Sequence, residues 1–148
     1  MRIFTYRSVS NNRIIVLGTL LKFGKKGSII DNQSGGGICL GIGENGSLHH
    51  FGTDLYGNKY HAFENGCRFS EAGKVHKIAE MKELAVKIAS ENYHFRLLGF
   101  DICVDKNNNP KVIEVNNNYL GINFHQMSGQ PLFKAFTDEI IDYCARKG

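Results

Sequence analysis

Residues 99–118 read Gly99-Phe100-Asp101-Ile102-Cys103-Val104-Asp105-Lys106-Asn107-Asn108-Asn109-Pro110-Lys111-Val112-Ile113-Glu114-Val115-Asn116-Asn117-Asn118. Leu98, Phe100, Ile102 and Val104 alternate with Gly99, Asp101, Cys103 and Asp105, the period of a strand. Asp105 to Pro110 is turn material, rich in Asn and closed by Pro. Lys111 to Asn116 resumes the alternation. A hairpin symmetric about Asn107 and Asn108 puts Asp101 opposite Glu114, with Asn116 on the same face. Two facing carboxylates repel, and the repulsion should raise one carboxyl pKa unless something offsets it. A hard divalent cation such as Mg²⁺ or Mn²⁺ would do so, because it takes carboxylate and amide oxygens. The other reading of the stretch is an exposed hairpin with polar residues facing water.

The 148 residues suit a single domain of ordinary size. Hydrophobic residues make up 42% and charged residues 22%, which excludes a disordered chain. No apolar run approaches the roughly 20 residues of a membrane span. The start of the chain, Met1-Arg2-Ile3-Phe4-Thr5-Tyr6-Arg7, has a strand pattern rather than that of a signal peptide. Beginning in a strand at residue 2 suggests a missing upstream segment. Cys39, Cys67, Cys103 and Cys144 are scattered and read as reduced thiols of a cytoplasmic protein. The net charge of +4 suits nucleotide phosphate and gives no ground for nucleic acid as a partner.

Outward from the hairpin, Arg2 to Val9 and Arg13 to Phe23 read as an antiparallel pair, the second strand central and buried on both faces. Ile38 to Ile42, Ser47 to Phe51 and Lys59 to Phe63 read as a meander. Its histidines, His49, His50 and His61, lack ligand spacing and read as surface or edge residues. Lys74 to Asn92 is a helix on the spacing of Val75, Ile78, Met81, Leu84, Ala85 and Ile88. Gly129-Gln130-Pro131 opens a C-terminal helix. The loop Ser28 to Gly37 ends in three glycines, which let backbone N–H groups approach an anion, and Lys25 and Lys26 stand beside it. The expected class is α+β: an antiparallel β-sheet with packed helices.

The chain resembles the C-terminal lobe of an ATP-grasp enzyme, most closely the sugar-transfer-associated ATP-grasp group. The resemblance runs through Arg2-Ile3-Phe4-Thr5, Gly27 to Gly37, Leu98 to Ile102 and Ile113 to Asn116. It implies a metal set of Asp101, Glu114 and Asn116 holding Mg²⁺ that bridges ATP phosphates. Arg2 matches a catalytic arginine that contacts phosphate or the acyl phosphate. Asp31, Asn32, Ser34, Gly35, Gly36 and Gly37 match a loop over the ATP and acceptor site, and Asn118 would orient the acceptor. Many such ligases carry an arginine two residues before the metal aspartate, where this chain has Gly99. The resemblance covers 1–148 as one domain, without the N-terminal and hinge regions that grip adenine.

ATP-grasp ligases join a carboxylate to an amine through an acyl phosphate. The resemblance therefore implies ATP and Mg²⁺ (or Mn²⁺) as cofactors and small-molecule acid and amine substrates, linked to polysaccharide synthesis. The isolated lobe is expected to be inactive and, with a bare surface, to form a homo-oligomer. Two other readings stand beside it: a non-catalytic ATP-grasp-like binding module, and a β-rich interaction domain with no nucleotide role.

Overall fold

The structure is a computed structural model and describes residues 1–24 and 37–146. The expectations for Lys25, Lys26, Asp31, Asn32, Ser34, Gly35 and Gly36 lie outside the described residues. Strands β1 (Arg2–Arg7), β2 (Ile14–Phe23), β3 (Ile38–Ile42), β4 (Leu48–Thr53), β5 (Lys59–Tyr60), β6 (Leu97–Val104) and β7 (Pro110–Asn116) alternate with few helices. The helices are α1 (Ile78–Glu91), α2 (Ile122–Met127) and α3 (Thr137–Ala145). Among the described residues the seven strands form one antiparallel sheet in the order β5-β4-β3-β2-β1-β6-β7. The α+β class expected from the sequence holds.

The apolar residues of β1 face both ways because both faces of the sheet centre are covered. On one face Ile3, Leu98, Phe100 and Ile102 pack against Met81, Ala85 and Ala89 of α1. On the other, Phe4, Tyr6, Leu17, Leu20 and Cys39 pack with Leu132, and Ile122, Phe124 and Ile140 of α2 and α3 close over them. Two glycines let this second layer approach. A Cβ on Gly18 would stand 2.0 Å from His125 Nε2, and one on Gly41 would stand 2.4 Å from His49 Nδ1. His125 is buried, meets Phe4 edge-on, and donates from Nδ1 to the Gln130 carbonyl at 3.2 Å. Gln130 Nε2 in turn reaches His49 Nε2 at 2.9 Å. These two histidines thus pack and bridge; among the described residues no three His, Cys, Asp or Glu side chains gather as a metal-ligand group.

Several boundaries differ from the sequence reading for local hydrogen-bonding reasons. β1 ends at Arg7 rather than Val9, because the Ser8 N–H closes a loop onto the Arg13 carbonyl at 2.9 Å. β5 stops at Tyr60 rather than Phe63, because Ala62 bridges to Arg68 and the Phe63 N–H turns to the Cys67 carbonyl. Helix α1 begins at Ile78 rather than Lys74. Lys74 bridges to Ser47, Val75 N–H donates to the Gly46 carbonyl, and Lys77 has a positive φ of 61°. The C-terminal helix begins at Thr137 rather than Pro131, since Leu132 is drawn into the core and Lys134 takes φ 45°. Helix α2, at six residues, has too short a pattern to be read from the sequence.

Glu139 fastens α3 to the end of β1. Its carboxylate accepts from Tyr6 Oη at 2.6 Å, the Val9 N–H at 2.7 Å, Ser10 Oγ at 2.9 Å and Ser8 Oγ at 3.0 Å. These donors, Tyr6 first, hold the carboxyl down to about 2 from an ordinary 4.5. Burial, and then the bond to Glu139, push the Tyr6 phenol up to about 12.

Two outcomes follow from this packing. A carboxyl held below its ordinary value adds stability that is complete above about 4.5 and is lost as the pH falls toward about 2. Glu139→Gln should therefore melt below the wild type at pH 7, with the gap closing between pH 4.5 and 2; a gap independent of pH would contradict the assignment. Gly18→Ala should cost about 2 kcal/mol or more by overpacking against His125, and His125→Ala in the same chain should relieve most of that cost in urea unfolding.

Candidate functional site

The hairpin of β6 and β7 carries the acid pair. Asp105 Oδ1 accepts the N–H groups of Asn107 and Asn109, each at 2.9 Å, and Asn108 takes φ 64° in the turn. Near the turn Ile102 faces Val112, one residue off the symmetric register. A β-bulge at Ile113 then restores it, so that Asp101 faces Glu114 and Gly99 faces Asn116. The bulge sends Ile113 out to solvent, 70% exposed, while Val112 packs beside α1. The pairing expected from a symmetric hairpin is present, but its cause is the bulge.

The neighbouring strands bring two cations to the same face. Arg2 of β1 is the direct cross-strand partner of both Asp101 and Leu20. Lys22, two residues beyond Leu20 in β2, therefore points to the same side. Arg2 Nε donates to Asp101 Oδ1 at 2.9 Å and Nη2 donates to Oδ2 at 2.7 Å, a bidentate fork. Arg2 Nη1 reaches the Leu120 carbonyl at 3.1 Å, tying the start of α2 to the site. Lys22 Nζ donates to Asp101 Oδ2 at 3.1 Å. The side chains of Arg2, Lys22 and Asp101 are only 12–13% exposed.

The cations change the titration from what the bare acid pair predicts. Burial pushes the Asp101 carboxyl up, but the Arg2 hydrogen bonds and charge, with Lys22, outweigh it and hold Asp101 below its ordinary 3.8. The expected rise from repulsion by Glu114 is thus corrected: the offset comes from protein cations. For Arg2, burial acts downward, while the bond to Asp101 and the charges of Asp101 and Glu114 raise its pKa on balance.

The other expected residues are placed as follows. Asn116 is half-buried on the Asp101 side, and its Nδ2 is buried without a hydrogen-bond partner among the described residues. Glu114 is exposed and accepts no bond from the described residues. Gly37 is buried at the entry to β3, next to Ile38, which pairs with Phe23. Asn118 is exposed; its Oδ1 accepts the N–H of Tyr119 at 3.0 Å. It lines a depression of about 510 Å³ with Leu97, Tyr119, Leu120 and Ile122, of which Leu120 also accepts from Arg2 Nη1. At Gly99 a Cβ would lie 3.2 Å from Leu120 Cδ2 and 3.9 Å from Arg2 Cδ, so the missing side chain makes room for both. Lys22 was missed in the sequence. Its signal is a lone cation in the apolar run Leu20-Leu21-Lys22-Phe23, at the parity of the core residue Leu20.

The donor set fits a hard cation. Asp101 is ionised, Glu114 is open to solvent, and the orphaned Asn116 amide, turned over, presents its oxygen. A carboxylate oxygen accepts about two donors, so among the described residues Asp101 Oδ1, with one, keeps capacity while Oδ2, with two, is filled.

An antiparallel sheet carrying a carboxylate–amide set beside two phosphate-matching cations fits the ATP-grasp class. Within that class the chain belongs to the sugar-transfer associated ATP-grasp family, whose model matches residues 1–140. Membership points to an ATP-binding module of ligase type. No curated protein and no solved structure matches the chain. No described helix is long and apolar enough to cross a membrane.

Breaking a shielded ion pair from one side strands a charge. Arg2→Met should therefore cost about 3 kcal/mol in urea unfolding at pH 7. Arg2→Met with Asp101→Asn should recover much of it. Equal costs for the single and double variants would show that Arg2 acts by packing alone.

Proposed function

We propose that this chain is the Mg²⁺–ATP-binding lobe of a carboxylate–amine ligase acting through an acyl phosphate on a cell-surface saccharide or its precursor. The observation that carries the reading is the convergence of Arg2, Lys22, Asp101, Glu114 and Asn116 on one face of the central strands, in a chain of the ATP-grasp family. The saccharide link rests on the family description alone. The free state of Cys39, Cys67, Cys103 and Cys144 supports a cytoplasmic setting, where ATP is supplied.

Asp101, Glu114 and Asn116 would hold the cation, and when bound it neutralises charge on the transferring phosphoryl group. Arg2 is the catalytic arginine of the proposal: its planar fork matches phosphate or acyl phosphate and is already aimed across the acid pair. It delivers from β1 a guanidinium to the face where Gly99 supplies none. The loop Asp31 to Gly37 would close over the ligand, and Asn118 would orient the acceptor.

The described residues leave the nucleotide ring without a slot beside these charges. An apolar depression of about 540 Å³, lined by Phe23, Ile38, Tyr60 and Phe63, lies on the opposite side of the sheet, because Phe23 follows Lys22 in β2. Binding by the 148-residue chain therefore rests on charge contacts and should be no tighter than about 1 mM, or about 4 kcal/mol. Calorimetric titration with Mg²⁺–ATP should give this weak constant and lose it in Asp101→Asn and Glu114→Gln. A parallel assay for ADP release with candidate acids and amines should show no sustained turnover. Micromolar binding or turnover would overturn the single-lobe reading; no response to Mn²⁺ with or without nucleotide would overturn the site.

A further inference from the structure

Resting on the proposed cation and phosphate site, we infer that Lys22 is an exchangeable cation that couples the two ligands: it occupies Asp101 in the empty site and transfers to phosphate when a divalent cation takes Asp101. The two basic residues on Asp101 are held very differently. Arg2 is fixed by three hydrogen bonds, two on Asp101 and one on the Leu120 carbonyl, through a rigid planar group. Lys22 makes one bond to a described residue, at 3.1 Å, from an ammonium on a flexible four-carbon stem. That single bond falls on Oδ2, which also accepts from Arg2 Nη2. An incoming cation finds Oδ1 open but stands there against the like charge of Lys22; to take Oδ2 as well it must displace a donor, and the one it can displace at least cost is Lys22.

The balance of charge gives the exchange its consequence. Arg2 and Lys22 face Asp101 and Glu114, so the empty site is close to neutral. A cation alone must compete with Lys22 for Asp101. A polyphosphate alone must draw Lys22 away from Asp101 against that ion pair. When both arrive, the cation replaces Lys22 on the carboxylate and the freed ammonium finds a phosphate oxygen. Each ligand then raises the affinity for the other by the same factor. A lysine that served only as a phosphate ligand would not oppose the cation, and one that served only to neutralise Asp101 would not affect phosphate.

The test uses the full chain with Mn²⁺ and inorganic tripolyphosphate as probes, after checking each variant's melting curve. Paramagnetic resonance counts free Mn²⁺, and calorimetry follows tripolyphosphate with EDTA or with Mn²⁺ present. Lys22→Met should bind Mn²⁺ alone about fivefold more tightly than the wild type, because a neighbouring positive charge is gone. It should bind tripolyphosphate in EDTA within about twofold of the wild type, and Mn²⁺–tripolyphosphate about tenfold more weakly. Lys22→Arg should keep the wild-type order, and Lys22→Gln repeats the comparison if Lys22→Met fails to fold. Unchanged or weaker Mn²⁺ binding in the neutral variants would overturn the exchange while leaving the site intact. A wild-type chain that binds neither Mn²⁺ nor Mn²⁺–tripolyphosphate would overturn the site itself and the exchange with it.

Discussion

The Arg2–Asp101 ion pair constrains the register at the centre of this fold. The two residues are direct partners in the β1–β6 ladder, and both are shielded from water. A slip of one residue would turn Arg2 into the apolar layer under α1, where Ile3 and Phe100 pack, and would strand the Asp101 carboxylate. The pair therefore fixes the register of the central strands, and β7 inherits that register through its own pairing with β6. The third Arg2 bond, to Leu120, then sets where the chain leaves the sheet for α2.

What could be read in advance follows from how local each signal is. The strand period of residues 98–104, the turn chemistry of Asp105 to Pro110 and the helical spacing of Met81, Ala85 and Ile88 are local, and all three elements are present. The Asp101–Glu114 pairing was legible, whereas the bulge that produces it was not, because nothing in Val112-Ile113-Glu114 marks which residue is extra. The expectation that the acid pair raises one carboxyl pKa fails at Asp101 for a different reason. Its neutralising partners lie 99 and 79 residues away in sequence, on strands whose register had to be known first. The same applies to Lys22, visible only as a cation out of place in an apolar run.

The layer over the site face shows how a weak element is held. Six residues of α2 have no capping side chain, and such a segment is marginal alone. Its stability comes from His125, seated over Gly18 and against Phe4, and from Ser128, whose Oγ donates to the His125 carbonyl at 2.6 Å. Burial first, and the positive charge of Lys134 as well, outweigh the Gln130 carbonyl and lower the His125 pKa. The ring is therefore neutral at pH 7 and acts as a packed, hydrogen-bonded block. Glycine at 18 and 41 is a requirement of this layer, set by the distance to each imidazole rather than by backbone conformation.

Carrying a charged site on strands rather than loops has a physical return. The backbones that position Arg2, Lys22, Asp101 and Glu114 are each paired to a neighbour, so the spacing between opposite charges is set by the ladder. Freedom is then confined to side chains, and there it is unequal. Arg2 and Asp101 lock each other through two parallel bonds, Lys22 keeps a single bond among the described residues, and Glu114 is exposed. The site thus has a rigid centre with adjustable members on either side. A pair as shielded as Arg2–Asp101 is seldom stabilising enough to be explained by stability alone, since an apolar replacement of similar volume often does as well. Under the proposed function the pair would offer a ligand an ionised carboxylate and a guanidinium already in place, beside the Asn116 amide.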